Sequence, residues 1–168
     1  MYQILYGKIH SNKLIYQLMR VVIQRVKKAS VRINKETKGE INKGYLILLG
    51  IEKNDTIDDI KWLCSKISRI RLFTDDNGRI NKSISEVHGN VLLISQFTLY
   101  ASTKKGNRPS FTKAAEPHIA IPLYEEFINN LQTALGKPIE TGEFGTHMEV
   151  ALINDGPVTL TIDSKNKE

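Results

Sequence analysis

Between residues 20 and 34 the chain reads RVVIQRVKKASVRIN, where β-branched positions recur among polar ones. That pattern predicts a strand, and the KETKGE that follows predicts a polar turn. GYLILLGI, residues 44–51, is a continuous apolar run and suits a strand covered on both faces. Next, Ile57, Ile60, Leu63, Cys64, Ile67 and Ile70 recur at helical spacing. Asp55 or Thr56 can cap that helix, and Asp58 and Asp59 lie in its favourable first turn. Asn77-Gly78 is a hairpin signal. GNVLLISQFTLYA, residues 89–101, is the most hydrophobic strand candidate. A second helix aligns Ile121, Tyr124, Phe127, Ile128, Leu131 and Leu135, and Gly136 and Pro138 stop it.

The last patterned stretch, EVALINDGPVTLTID, is strand-like on both sides of an Asn-Asp-Gly-Pro. Proline donates no ladder hydrogen bond and glycine weakens a strand interior. Two readings stand: a hairpin turn, which this chemistry favours, or a main chain put on display for a ligand. No internal repeat, low-complexity segment or linker interrupts the pattern. The expected architecture is one α+β domain over residues 19–168. Its sheet is mostly antiparallel or mixed and curls into a barrel-like core, with two main helices packed on it.

Composition narrows the class. The chain has 168 residues, 40% hydrophobic and 25% charged, which describes an ordinary globular domain. No run of about 18 apolar residues is present, so no membrane span is expected. A single cysteine excludes a disulfide within the chain and fits a reducing, cytoplasmic setting. Cys64 falls on an apolar helix face and is expected in the core. The net charge of +6 is compatible with a polyanionic partner. Residues 1–18 carry Lys8 and Lys13 and no acid, and strand-like patterning begins abruptly at Met19. An over-extended start, a native tail and a targeting peptide compete there. The last would favour arginine and serine, of which this stretch has none and one. Residues 1–18 are therefore expected to be an extension outside the fold, with Met19 as the functional start.

His10, His88, His118 and His147 show no metal-ligand spacing, and one cysteine cannot build a zinc site, so neither metal nor cofactor is expected. Phosphate-loop and serine-hydrolase motifs are missing. What remains is the NDGPVT segment, the polar Ser95, Gln96 and Thr98 around Phe97 in an apolar run, and STKKGNRPSFTKAAEP, a basic loop too long for a simple connector.

LLISQFTLYA, KKGNRPSF, GEFGTHMEV and NDGPVT, in this order and after MRVVIQRV from Met19, together resemble the D-aminoacyl-tRNA deacylase family over roughly residues 19–163. The resemblance implies a homodimer that hydrolyses the ester joining a D-amino acid to the 3' end of tRNA, and also removes glycine mischarged on tRNA-Ala. It implies a cis Gly156-Pro157 bond whose carbonyl oxygens hold the substrate ammonium, and whose backbone collides with an L side chain after insertion into the partner subunit's pocket. Arg25 matches the arginine orienting that motif, and Phe144 and Met148 match pocket residues. Ser95, Gln96, Phe97 and Thr98 match the catalytic stretch. Threonine needs a base as nucleophile, and no histidine, lysine or terminal amine accompanies the motif. Backbone donors from Gln96–Thr98 at the developing oxyanion are expected instead. Lys104, Lys105 and Arg108 are expected on tRNA phosphates. Two alternatives remain: an L-serine-editing module like that of archaeal threonyl-tRNA synthetases, and a non-catalytic RNA-binding protein.

Overall fold

The computed structural model describes residues 19–166; the extension expected over residues 1–18 lies outside them. Its longest early strand is β1 (Arg20–Ile33), followed by β2 (Glu36–Ile41), β3 (Gly44–Gly50), helix α1 (Ile57–Arg69), β4 (Arg71–Thr74), β5 (Ile80–Ser83) and β6 (Asn90–Ser95). A 3-10 turn (Phe97–Tyr100), helix α2 (Pro117–Leu135), β7 (Glu140–Thr141) and β8 (Glu149–Asp163) complete the chain.

Everything is organised around β1. One edge pairs antiparallel with β3 over its first half and with β2 over its second, while the other edge pairs with β8 along its length. β3 then pairs parallel with β6, and β6 with β7. The sheet runs β2-β1-β3-β6-β7, and β2 comes round against β6 and β7, so the sheet curls toward a barrel.

The continuous apolar run of β3 follows from this shape, because the sheet buries both of its faces. On the barrel side Leu46 meets Leu92, Ile94, Val26, Val31 and Ile41. On the other side Tyr45, Ile47 and Leu49 join Leu93 beneath Ile60, Leu63 and Ile67 of α1 and Tyr124, Phe127 and Leu131 of α2. Cys64 is buried there too, as its helical position predicts, and burial pushes its thiol up to about 12.

Several local expectations shift. The turn after β1 is Asn34-Lys35, both at positive φ, and most of KETKGE is strand β2. Ile57 and Ile121 are exposed although their spacing fits a core face, while Ile60 and Ala120 close by in the same first turns are buried. The apolar run after β6 leaves extended geometry at Gln96, since its next four residues coil into the 3-10 turn. Asn77-Gly78 does turn a hairpin, joining β4 to β5. Among the described residues no helix is long and apolar enough to cross a membrane.

A buried polar knot closes the C-terminal end. Asp59 accepts from the Thr56 backbone N–H at 2.9 Å and from the Ser164 hydroxyl at 2.7 Å. Asp55 accepts from the Glu52 N–H at 2.7 Å, and the Lys165 ammonium stands 3.7 Å from Asp55 and 3.3 Å from Asp59. Burial, aided by the Asp59 and Glu52 carboxylates, pushes the Asp55 carboxyl up to about 7. The folded chain thus keeps this proton where the unfolded chain has lost it. Its contribution to stability is full below the ordinary carboxylate range and disappears as pH climbs through 7. The protein is expected to melt at a lower temperature at pH 8 than at pH 5.5, and Asp55→Asn to shrink that difference. Thermal melts of both proteins across this range check it; identical profiles would contradict the assignment.

Candidate active site

The 3-10 turn is seated at both ends. The Gln96 N–H donates to Leu49 O at 2.7 Å, and the Tyr100 hydroxyl, buried, donates to Gly50 O at 3.3 Å. Between them the Gln96 side-chain amide donates to the Thr98 hydroxyl. Phe97 stands exposed and packs edge-on against Phe111, with ring centroids 5.2 Å apart.

Beside this turn lies a pocket of about 280 Å³. Its walls are the end of β3 (Leu49, with Ile51 beyond), Ser95, Gln96 and Phe97, Ala115 just before α2 and Ala120 in its first turn, the 144–148 loop, and Val150. Sequence-predicted Ser95, Gln96, Phe97, Phe144 and Met148 thus converge on one cavity, with Thr98 one step along the turn outside its lining. Phe144 is held by Tyr124 of α2, centroids 5.8 Å apart. Gly145, Thr146 and His147 also line the cavity and were not singled out. The GEFGTHMEV motif contains them, but linear spacing does not show which side of a loop faces inward. His147 is therefore a histidine near the turn that sequence spacing did not place there.

Arg25, Gly156 and Pro157 form a separate constellation. Where Gln24 of β1 faces Thr159 and Val26 faces Asn154, residues 155–158 of β8 stand opposite Arg25 alone. The hairpin reading fails here: β8 continues through the Gly-Pro and throws it outward as a bulge. The Gly156-Pro157 bond is cis, and both residues are exposed. Arg25, by contrast, is 7% exposed. Its Nε donates to Asp155 O at 3.0 Å and lies 3.4 Å from the Asp155 carboxylate, while Nη1 donates to Leu72 O. Gly156 has a φ of 142°, and a Cβ there would meet Val158 N at 2.7 Å. Only glycine fits this conformation and this space.

Lys104, Lys105 and Arg108 are exposed on the long loop. Reciprocal bonds between Ser102 and Ser110, 2.8 and 2.9 Å, close that loop into an arm. Phe111 at its base packs against Phe97, which lines the pocket. Among the described residues no group of three metal-ligating side chains is found.

The chain thus presents a curled mixed sheet with two helices on its outer face, a pocket beside a polar 3-10 turn, and a displayed Gly-Pro. The model of the D-Tyr-tRNA(Tyr) deacylase family matches residues 22–163, and the chain belongs to that family. It is 63% identical over 150 residues to a D-aminoacyl-tRNA deacylase of Bacteroides fragilis, covering 89% of this chain and 100% of that one. It is 57% identical over the same coverage to a D-aminoacyl-tRNA deacylase of Flavobacterium psychrophilum. Among solved structures, one described as c-Myc DNA Unwinding Element Binding Protein aligns with a TM-score of 0.81 at 36% identity, over 86% of this chain and 97% of that one. A second, described as a probable eukaryotic D-amino acid tRNA deacylase, aligns at 0.76 and 17% identity, over 87% and 99% of the two chains, a likeness of fold.

Replacing Arg25 by Met keeps most of the stem and removes the donors to Asp155 O and Leu72 O. Hydrogen bonds from charged groups of this kind contribute about 1.5–3 kcal/mol. A loss of that size is expected in urea unfolding of Arg25→Met, and an unchanged midpoint would show that the arginine does not hold the bulge.

Proposed function

We propose that this D-aminoacyl-tRNA deacylase separates mirror-image amino acids with the Gly156-Pro157 backbone, and that the pocket doing the chemistry belongs to a second copy of the chain. The observation that carries the reading is the bulge itself: an exposed piece of main chain with no Cβ at Gly156, anchored through Asp155 by the buried Arg25. Val150 of β8 borders the pocket, and Gly156 lies about 20 Å further along the strand at the usual rise per residue. A Gly-Pro so placed meets a pocket most directly in a homodimer, where each copy inserts its bulge into the other.

In that arrangement the Gly-Pro carbonyl oxygens accept from the substrate α-ammonium. With the ammonium and the ester carbonyl both located, the side chain has one direction left. A D side chain points to solvent, an L side chain runs its Cβ into backbone, and rejection comes from collision. Glycine, lacking a side chain, passes, so glycyl-tRNA mischarged on tRNA-Ala is a substrate as well.

The pocket then has to stabilise charge on the ester oxygen as water attacks and the ribose oxygen departs. The Gln96 N–H is engaged by Leu49 O. The N–H groups of Phe97 and Thr98 open the 3-10 turn and have no partner within it, which suits them as oxyanion donors. The Thr98 hydroxyl accepts from the Gln96 amide, an orientation that steadies the turn without activating a nucleophile. Lys104, Lys105 and Arg108 on the arm meet phosphates near the acceptor end of the tRNA.

A second reading, nucleic-acid binding without catalysis, draws on the same basic arm and on the DNA-binding name of one structural relative. Hydrolysis separates the two. The protein is expected to cleave D-Tyr-tRNA and to leave L-Tyr-tRNA intact, with Thr98→Ala keeping substantial single-turnover activity. Equal cleavage of both enantiomers would end the filter, and a Thr98→Ala rate near the uncatalysed one would restore the threonine as nucleophile. Arg108→Ala is expected to weaken tRNA binding and lower the slope of log affinity against log salt by roughly 1; an unchanged slope in filter-binding titrations removes the arm from the interface.

A further inference from the structure

Arg20 is the first residue of β1, facing Gly50 on β3 and Asp163 at the far end of β8. Its guanidinium makes a fork on the Asp163 carboxylate, with Nε to Oδ1 at 2.7 Å and Nη2 to Oδ2 at 3.1 Å. The remaining nitrogen, Nη1, donates to Leu99 O at 3.2 Å. Leu99 belongs to the 3-10 turn, and the same guanidinium lies 5.9 Å from the ring centre of Tyr100, the residue after it.

We propose that Arg20 is a positioning residue for the deacylation reaction, clamping the C-terminal end of the 3-10 turn so that the N–H groups at its other end keep their aim at the reacting carbonyl. The inference rests on the reading of those N–H groups as oxyanion donors.

The geometry of the turn makes the clamp consequential. Its residues form a single short body with a rise of about 2 Å each, so tilting one end swings the other. At the N-terminal end Gln96 is fixed by Leu49 O. At the C-terminal end the last carbonyls have no partner within the turn, and Arg20 takes one of them. Gly50 allows the seat: a Cβ there would meet the Tyr100 ring at 2.9 Å and Leu99 Cβ at 3.2 Å, so the turn sits directly on β3 backbone. Asp163 does for Arg20 what Arg20 does for the turn. A long side chain otherwise samples many rotamers, and a two-point fork holds it in one. The pair is half-shielded, with side chains 33% and 14% exposed, and so is less screened than a surface ion pair.

The clamp also joins the two halves of the site. Asp163 ends the strand that carries Gly156-Pro157, and Arg25, on the same β1, holds that strand at the bulge. The turn that receives one copy's substrate and the bulge offered to the other copy are thus referenced to a single strand.

The test uses the full chain. Arg20→Met, Asp163→Asn and Arg20→Lys are compared with the unaltered protein in single-turnover cleavage of D-Tyr-tRNA at increasing enzyme concentration, with melting temperatures alongside. Arg20→Met is expected to lower the saturating rate about tenfold, to leave the half-saturating concentration unchanged, and to leave L-Tyr-tRNA uncleaved. Asp163→Asn, which frees the arginine without deleting it, is expected to fall in between. A wild-type saturating rate in Arg20→Met overturns the proposal, whatever the melting temperature does. If Arg20→Met does not fold, Arg20→Lys decides: one ammonium cannot make the fork and reach Leu99 O as well, so the rate falls if the clamp matters and stays if it does not. The backbone amide resonances of Phe97 and Thr98 supply a readout free of activity. They are expected to move in Arg20→Met or Arg20→Lys, and unmoved signals overturn the clamp. An unaltered protein inert toward D-Tyr-tRNA would instead defeat the deacylase reading, with the amide signals still judging the clamp.

Discussion

A buried arginine committed to backbone carbonyls is the contact on which the rest of the site depends. Arg25 sits in the centre of the sheet, where an unpaired charge would be untenable. It is satisfied by Asp155 O, the Asp155 carboxylate and Leu72 O. Those bonds do two things at once. They compensate the cost of placing a charge in the core, and they fix the main chain immediately before Gly156. The bulge then projects with its first residue, Asp155, held through both its carbonyl and its carboxylate.

Long pairing between β1 and β8 supplies the frame for that contact. The strands match on both sides of the bulge, so the extra residues have nowhere to go but out of the sheet. A hairpin would have relaxed the same residues into a turn. Continuing the ladder beyond them, to Arg20 opposite Asp163, keeps them extruded.

The pocket owes its place to the second layer. α2 packs Tyr124 and Phe127 against the outer face of the sheet, and Tyr124 in turn backs Phe144 in the pocket wall. There the chain leaves β6 at Gln96 and rises over Gly50. The 3-10 turn is that rise. Its polar side chains, anomalous within a strand, are ordinary in a turn beside a cavity.

Much of this was legible in the chain itself. The α+β class, both helices, the doubly covered β3 and the β4–β5 hairpin follow from apolar periodicity and turn chemistry, which act over a few neighbouring residues. The motifs bearing the family likeness could be read for the same reason: each is a short run with residue types its local task demands. Gly156 had to be glycine for its φ, and Ser95, Gln96 and Thr98 stood out as polar side chains in an apolar run. Tertiary structure decided which motifs meet. Arg25 stands across from Gly156, Arg20 joins Leu99 to Asp163, and His147 shares a cavity with Gln96, although many residues separate the partners in each case. It also decided that Asn-Asp-Gly-Pro stays in a strand, against its own turn preference, and that Ile57 and Ile121 face water. Local preferences amount to about a kilocalorie per residue, whereas a full-length strand pairing and a packed core sum many such terms, and where they disagree the larger sum sets the geometry.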